Sequence, residues 1–397
     1  MTDTTAAPPG ATGFLPALEG MRGFAALGVL ITHVAFQTGA VDDPVIGRVW
    51  GRFDLAVALF FALSGFLLWR PHAAAARGFV RVPSTVRYFL SRAARILPVY
   101  WVVVVLVLWL LPDAGGSATV WWANLLLVQV FVPLTLTEGL TQMWSLSVEV
   151  AFYLILPLLG WAVSRLRGDA ARYRIPLLLS ACALSLLWVW LPVPTPDHIN
   201  HDNWLPGYLP WFGAGMLLAE LVVHPPTWMH RLAARRRVMA AVAVVSFAVA
   251  TTPLAGPETL TTLEPWEYNG KIVSGAVMSF ALLAPLVLAP RTEHRILASP
   301  AALAVGRWSY GIFLWHLAVM SAVFPIFGIP LFAGRFWFVL AVTVVVSIAV
   351  SSAGYALVEE PARRAFHRWE KERRIGGTAA RPAATTPTSA ANWIRNE

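Results

Sequence analysis

The sequence predicts an all-α integral membrane protein of about ten transmembrane helices with both termini cytoplasmic. Three observations carry that class. Hydrophobic residues make up 57% of the 397-residue chain and charged residues only 13%, whereas a soluble domain averages nearer ~25% charged. Apolar runs close to the ~20 residues that cross ~30 Å of hydrocarbon recur along the whole length. Arginines gather in alternate loops, the asymmetry that sets orientation in a membrane.

The runs fall near 15–37, 54–70, 96–112, 144–164, 176–193, 207–223, 238–253, 271–290, 308–327 and 336–358. The 70–95 loop holds Arg70, Arg77, Arg81, Arg87, Arg92 and Arg95 without an acid. The 165–175 and 224–237 loops and the segment after Glu360 are basic again, while the intervening loops are neutral or acidic. Arg48, Arg52 and Arg335 depart from this pattern. Residues 120–133 are apolar but short and carry Asn124 and Gln129. A full crossing there would invert every later loop, so a re-entrant or interfacial helix on the outer side is expected.

Residues 1–13 are small and polar without a basic stretch, so the expectation is a disordered N-terminus, no cleaved signal, and a first run retained as an anchor. Residues 14–368 read as one membrane domain, and 369–397 as a basic, largely disordered cytoplasmic tail. The net charge of +9 is spread between apolar runs. It reads as topology, not as a nucleic-acid footprint, which needs a basic face on a soluble domain. Cys182 stands alone, so neither a disulfide framework nor a thiolate metal site is available. Asp197-His198 and His201-Asp202 have a spacing that suits a divalent ion, although such loop residues are more often simply solvated, and no metal is expected.

Ionisable groups inside spans are costly and mark function by default. Four stand out: Arg22 and His33 in the first run, Glu149 in the fourth and His316 in the ninth. Arg22 and His33 lie about 16 Å apart along a helix and nearly on one face. That stripe would serve a single channel, but Arg22 also reads as a snorkelling anchor and His33 as a packing histidine. Glu149 falls at a depth comparable with His33, where a carboxylate can fix an imidazole tautomer; pairing with a structural arginine is the alternative. His316 reads equally as a cavity group and as a helix-packing donor. Ser64-Gly65 lets a helix or a thin ligand approach closely. Arg92 and Arg95 form an i, i+3 pair suited to phosphate, or to plain anchoring.

Six segments together resemble the acyltransferase-3 family of membrane O-acyltransferases: LPALEGMRGFAALGVLITH, with Arg and His separated by ten residues, FFALSGFLLW, RAARILPVYW, MWSLSVEVAFYLILPLL, SYGIFLWH and VEEPARR. The resemblance covers roughly 14–368. It implies a multi-pass enzyme of the plasma membrane that takes acyl-CoA, acetyl-CoA above all, as donor substrate, with no tightly bound cofactor, and acylates a hydroxyl of a sugar, glycolipid or glycoside. It implies His33 as general base, Arg22 holding donor or acceptor, and Glu149 orienting His33. Arg92, Arg95, Ser64 and Gly65 would meet the acyl-CoA, and Trp144, Ser147, Tyr310 and His316 would line the cavity. Ser64, Ser147 and His33 remain alternatives for a covalent intermediate. Glu19 stands where the family commonly has Asp, and Val150 where a second acid often follows. A proton-coupled transporter or flippase is the rival reading, because intramembrane ionisable pairs also serve proton relays.

Overall fold

A computed structural model describes residues 8, 10–112, 114–257, 262–289 and 294–379, with side chains to residue 372. The described residues form helices α1 (Pro16–Gln37), α2 (Gly47–Gly51), α3 (Ala56–Ala76), α4 (Thr85–Leu110), α5 (Ala118–Leu125), α6 (Met143–Ala162) and α7 (Arg174–Ser185). They continue as α8 (Leu205–Val222), α9 (Trp228–Ala234), α10 (Arg236–Ala250), α11 (Pro265–Val287), α12 (Pro300–Ile326), α13 (Phe336–Gly354) and α14 (Glu360–Ala379). No strand occurs among them. Seven helical segments are long and apolar enough to cross a membrane, covering α3, α4, α6, α7, α11, α12 and α13. Of the ten predicted spans, α1, α8 and α10 form as helices but miss that combined measure. α1 carries Glu19, Arg22 and His33, α8 is a continuous helix whose mean hydropathy is lowered by residues such as Gly207, Pro210 and Glu220, and α10 has only 15 residues.

Helix starts follow local chemistry. Pro16 and Pro300 occupy first-turn positions where a missing N–H costs nothing. The Ser299 hydroxyl accepts from the Ala302 amide at 3.2 Å, and Glu264 and Glu267 form a capping box on α11.

Two glycine contacts set the packing. A Cβ on Gly306 would lie 2.1 Å from the Glu19 carbonyl oxygen, so α1 and α12 meet at backbone distance. Gly65 of α3 and Gly215 of α8 make the equivalent contact, with Cβ positions 2.1 Å from the Phe212 oxygen and 1.8 Å from the Ala62 oxygen. The Phe212 ring then stacks on Phe61 at 4.4 Å and on Phe152 at 4.1 Å, joining α8 to α3 and α6. Close approach through small residues is the usual means of holding helices together where lipid removes the hydrophobic drive.

The 120–133 segment contains only the eight-residue α5, about 12 Å of helix, well short of a crossing. The chain then folds back. Asn124 donates to the Thr135 carbonyl at 2.8 Å and Gln129 to the Met143 carbonyl at 3.0 Å. The two amides that made this run look interrupted therefore tie down its loop. At the chain ends, Ala11 is 2% exposed and Gly10 lies against Val222 and Val287, so the end of the expected disordered N-terminus is packed; residues 1–7 and 9 lie outside the described residues. The expected irregular tail begins as helix, since α14 runs to Ala379 with Arg364–Glu360 (2.8 Å) and Arg87–Glu370 (2.5 Å) ion pairs. Residues 380–397 lie outside the described residues.

A buried knot of charge joins α3, α7 and α8. Glu220, 1% exposed, accepts from Trp69 Nε1 and Arg174 Nε, both at 2.8 Å, and pairs with Arg77 at 3.0 Å. Arg174 also lies over the Trp69 ring. Removing one partner from a buried pair costs about 3–5 kcal/mol, because the remaining charges lose compensation. Glu220→Ala is expected to lower the melting temperature of the detergent-solubilised protein by several degrees, and an unchanged melt would show the knot to be energetically idle.

Candidate active site

Five helices bring one polar group or more to a single cleft. α1 supplies Arg22, α3 Ser64, α4 Arg92 and Arg95, α6 Glu149 and Tyr153, and α12 Tyr310. The i, i+3 spacing of Arg92 and Arg95 turns both guanidiniums to the same side of α4. Ser145 of α6 also lines the cleft, and the rest of the wall is apolar, chiefly from one face of α3 and from Phe313. The cleft is narrow, with a cavity volume of about 70 Å³. Three guanidiniums face one lining carboxylate in a mostly apolar wall, so the cleft carries net positive charge.

The polar contacts inside it are ordered. Glu149 Oε1 accepts from the Ser64 hydroxyl and from the Tyr153 hydroxyl, the latter at 2.5 Å. Tyr88 donates to the Tyr153 carbonyl at 3.2 Å, and Tyr310 to the Ile96 carbonyl at 3.0 Å. Arg22 pairs with Glu19 one turn earlier at 3.6 Å. Among the described residues, Arg92 and Arg95 make no hydrogen bond or ion pair within contact distance, so their donors are available to an anionic ligand.

His33 and His316 lie beyond Phe313, whose ring is 6.1 Å from that of His316. His33 Nδ1 is 3.2 Å from His316 Nε2, and the ring centroids are 5.0 Å apart. His316 is 1% exposed and His33 partly exposed, so His33 is the reachable member. The contact follows from the α1–α12 packing. Gly23 lies against Gly306, and the histidines are each ten residues further on, in two helices that run in parallel register.

The cleft collects Arg22, Ser64, Arg92, Arg95, Glu149 and Tyr310 from the residues singled out in the sequence. Other expectations meet a different geometry. The Glu149 carboxylate is bonded to Ser64 and Tyr153, not to His33. Glu149 instead shares the cleft with Arg22, about 16 Å along α1 from His33, so it differs from His33 in depth as well as in direction. The carboxylate that acts electrostatically on His33 is Asp54, itself held by Lys271 at 2.6 Å. Gly65 faces α8 instead of the cleft. Ser147 is 2% exposed and bonds back to the Met143 carbonyl at 3.4 Å, and Trp144 packs on Tyr208 at 5.2 Å; neither lines the cleft. Tyr153 and Phe313 were missed, although Tyr153 is legible as the i+4 neighbour of Glu149. His201 pairs with Asp202 at 3.4 Å, and no group of three metal-capable side chains occurs among the described residues.

Fold and cleft together mark a multi-pass membrane protein with a cluster of guanidiniums in a mostly apolar cleft. The chain belongs to the acyltransferase-3 family, whose profile, described as an acyltransferase domain, matches residues 15–352. It is an acyltransferase that transfers groups other than aminoacyl groups, and the transporter reading is not favoured. It is 28% identical to the acyltransferase MdmB of Streptomyces mycarofaciens over 95% of this chain and 96% of that protein. It is 20% identical to the peptidoglycan O-acetyltransferase OatA of Listeria monocytogenes over 88% of this chain but only 56% of that longer protein. No solved structure matches the chain.

Because Ser64 and Tyr153 share one carboxylate oxygen, Ser64→Ala and Tyr153→Phe are expected to be non-additive in stability. A double-mutant cycle read by thermal melts is expected to give a coupling of about 0.5–3 kcal/mol. Strict additivity would rule out the shared acceptor.

Proposed function

We propose that the protein transfers an acyl group, most simply acetyl, from cytoplasmic acyl-CoA to a hydroxyl of a sugar, glycolipid or glycoside. The observation that carries this reading is the cleft in which the unpaired Arg92 and Arg95 join Arg22 at the head of a narrow apolar passage. Guanidinium forks suit phosphate and pyrophosphate, and the thin pantetheine arm suits the passage. The Listeria relative, a peptidoglycan O-acetyltransferase, supports O-acetylation as the chemistry.

In this reading α1, α8 and α10 also cross the membrane, making ten spans with both termini cytoplasmic. The arginine-rich loops then share one side, as the positive-inside rule requires, and Arg92 and Arg95 open toward cytoplasmic acyl-CoA in the plasma membrane. His33 is the general base on the acceptor hydroxyl, a role typically worth about 10²–10⁴-fold in rate. Arg22, Arg92 and Arg95 hold the donor, with Ser64 beside them. Glu149 balances the three cations. Tyr310 and Phe313 wall the passage.

Two measurements test this. His33→Ala is expected to lose acyl transfer by at least ~10²-fold while still inserting in the membrane, and wild-type turnover by the purified variant would overturn the assignment. Arg92→Ala and Arg95→Ala are each expected to raise KM for acetyl-CoA by about tenfold or more, the loss of one charge-assisted contact. The same variants are expected to handle S-acetylpantetheine, which lacks the phosphates, like the parent; equal penalties on both donors would place the arginines elsewhere. Comparing the glycan and glycolipid ester content of a deletion strain with its parent identifies the acceptor class.

A further inference from the structure

We infer that His316 is a positioning residue for His33, and that the two imidazoles form a dyad that accepts a single proton at a single atom, His33 Nε2. The inference rests on the proposed acyl transfer for its catalytic meaning, but the hydrogen-bond logic stands apart from it. His33 Nδ1 lies 2.8 Å from the Val29 carbonyl oxygen. His316 Nδ1 lies 2.8 Å from the Phe313 oxygen and 3.1 Å from the Ile312 oxygen. A carbonyl oxygen can only accept, so both Nδ1 atoms carry hydrogen. His33 Nδ1–H then also points at His316 Nε2, 3.2 Å away, and that nitrogen must be the unprotonated acceptor.

The consequence is asymmetric. Protonating His316 at Nε2 would set two N–H groups against each other in a buried site, so His316 stays neutral. The remaining lone pair of the dyad is on His33 Nε2, on the partly exposed ring. When that atom takes a proton, the positive charge is shared through Nδ1–H with Val29 and His316. A histidine thus fills the orienting place that a carboxylate fills in acid–His pairs. A neutral orienter avoids burying a second charge in the bundle, which is the expensive step in a membrane.

For the transfer itself, His33 Nε2 takes the proton of the acceptor hydroxyl as its oxygen bonds the thioester carbonyl carbon. The carbon–sulfur bond then breaks, the electron pair leaves on sulfur, and Nε2 returns the proton to the thiolate. The dyad ends in its starting protonation state and no further reactant is needed.

His316→Leu keeps much of the volume but removes the acceptor. His316→Gln offers an amide oxygen near the place of Nε2. In acetyl-CoA turnover by the purified full chain, His316→Leu is expected to lower kcat by about tenfold to a hundredfold, less than loss of the base itself, with KM unchanged. His316→Gln is expected to recover most of it. A loss that falls in KM, a leucine variant that works like the parent, or a glutamine variant no better than leucine would each overturn the inference. A second readout needs no turnover. Diethyl pyrocarbonate acylates an unprotonated imidazole nitrogen, and peptide mass spectrometry is expected to show His33 labelled in the parent, severalfold more slowly in His316→Leu, and near the parent rate in His316→Gln. An unlabelled parental His33, or rates indifferent to both substitutions, would overturn it. Should the leucine variant fail to fold, His316→Asn, whose amide is too short to reach Nδ1, takes its place. A parent without acyl transfer would overturn the proposed function, while the labelling would still decide the dyad.

Discussion

Gly306 lets α12 lie against the backbone of α1, and from that contact the rest of the site takes its register. Two parallel helices that touch at one end at backbone distance stay in step for several turns. Residues at equal offsets from the contact then face each other, which is how His33 comes to meet His316. Arg22 and Tyr310, nearer the glycine contact, reach the cleft wall from the same two helices. A side chain at position 306 would part the helices where their separation sets all later distances.

The arginines show how identical groups are divided between a paired structural role and an open cleft wall. Arg77 and Arg174 are held by Glu220 in a buried knot that joins three helices. Arg92 and Arg95 sit a short way along the chain from Arg77 yet keep their donors free toward the cleft. Charge alone does not separate the two groups. The partner does, and the partner comes from helices far apart in sequence.

This explains what the sequence could and could not disclose. Helix positions were legible because twenty-residue apolar runs admit little else in lipid, and Arg22 because ionisable groups in such runs are rare, whereas Arg92 and Arg95 stood out of a basic loop only by their shared helix face and the family resemblance. The failures concern packing. Glu149 was given the wrong neighbour, since counting residues along separate helices does not fix how they pack: it joins Arg22 in the cleft and bonds to Ser64 and Tyr153. Gly65 looked like room for a ligand and proved to be room for α8. Asn124 and Gln129 marked 120–133 as unusual, but only the fold discloses that their amides hold the return of a loop.

Gly65 and Ser64 are neighbours in sequence with opposite duties, one seated on the Phe212 carbonyl and the other bonded to Glu149. The helix packing and the cleft wall therefore share a peptide bond. In a mutational scan, a bulky residue at position 65 would register as damage to the cleft while touching no ligand. Functional maps of this bundle would accordingly extend one helix layer beyond the atoms that bind.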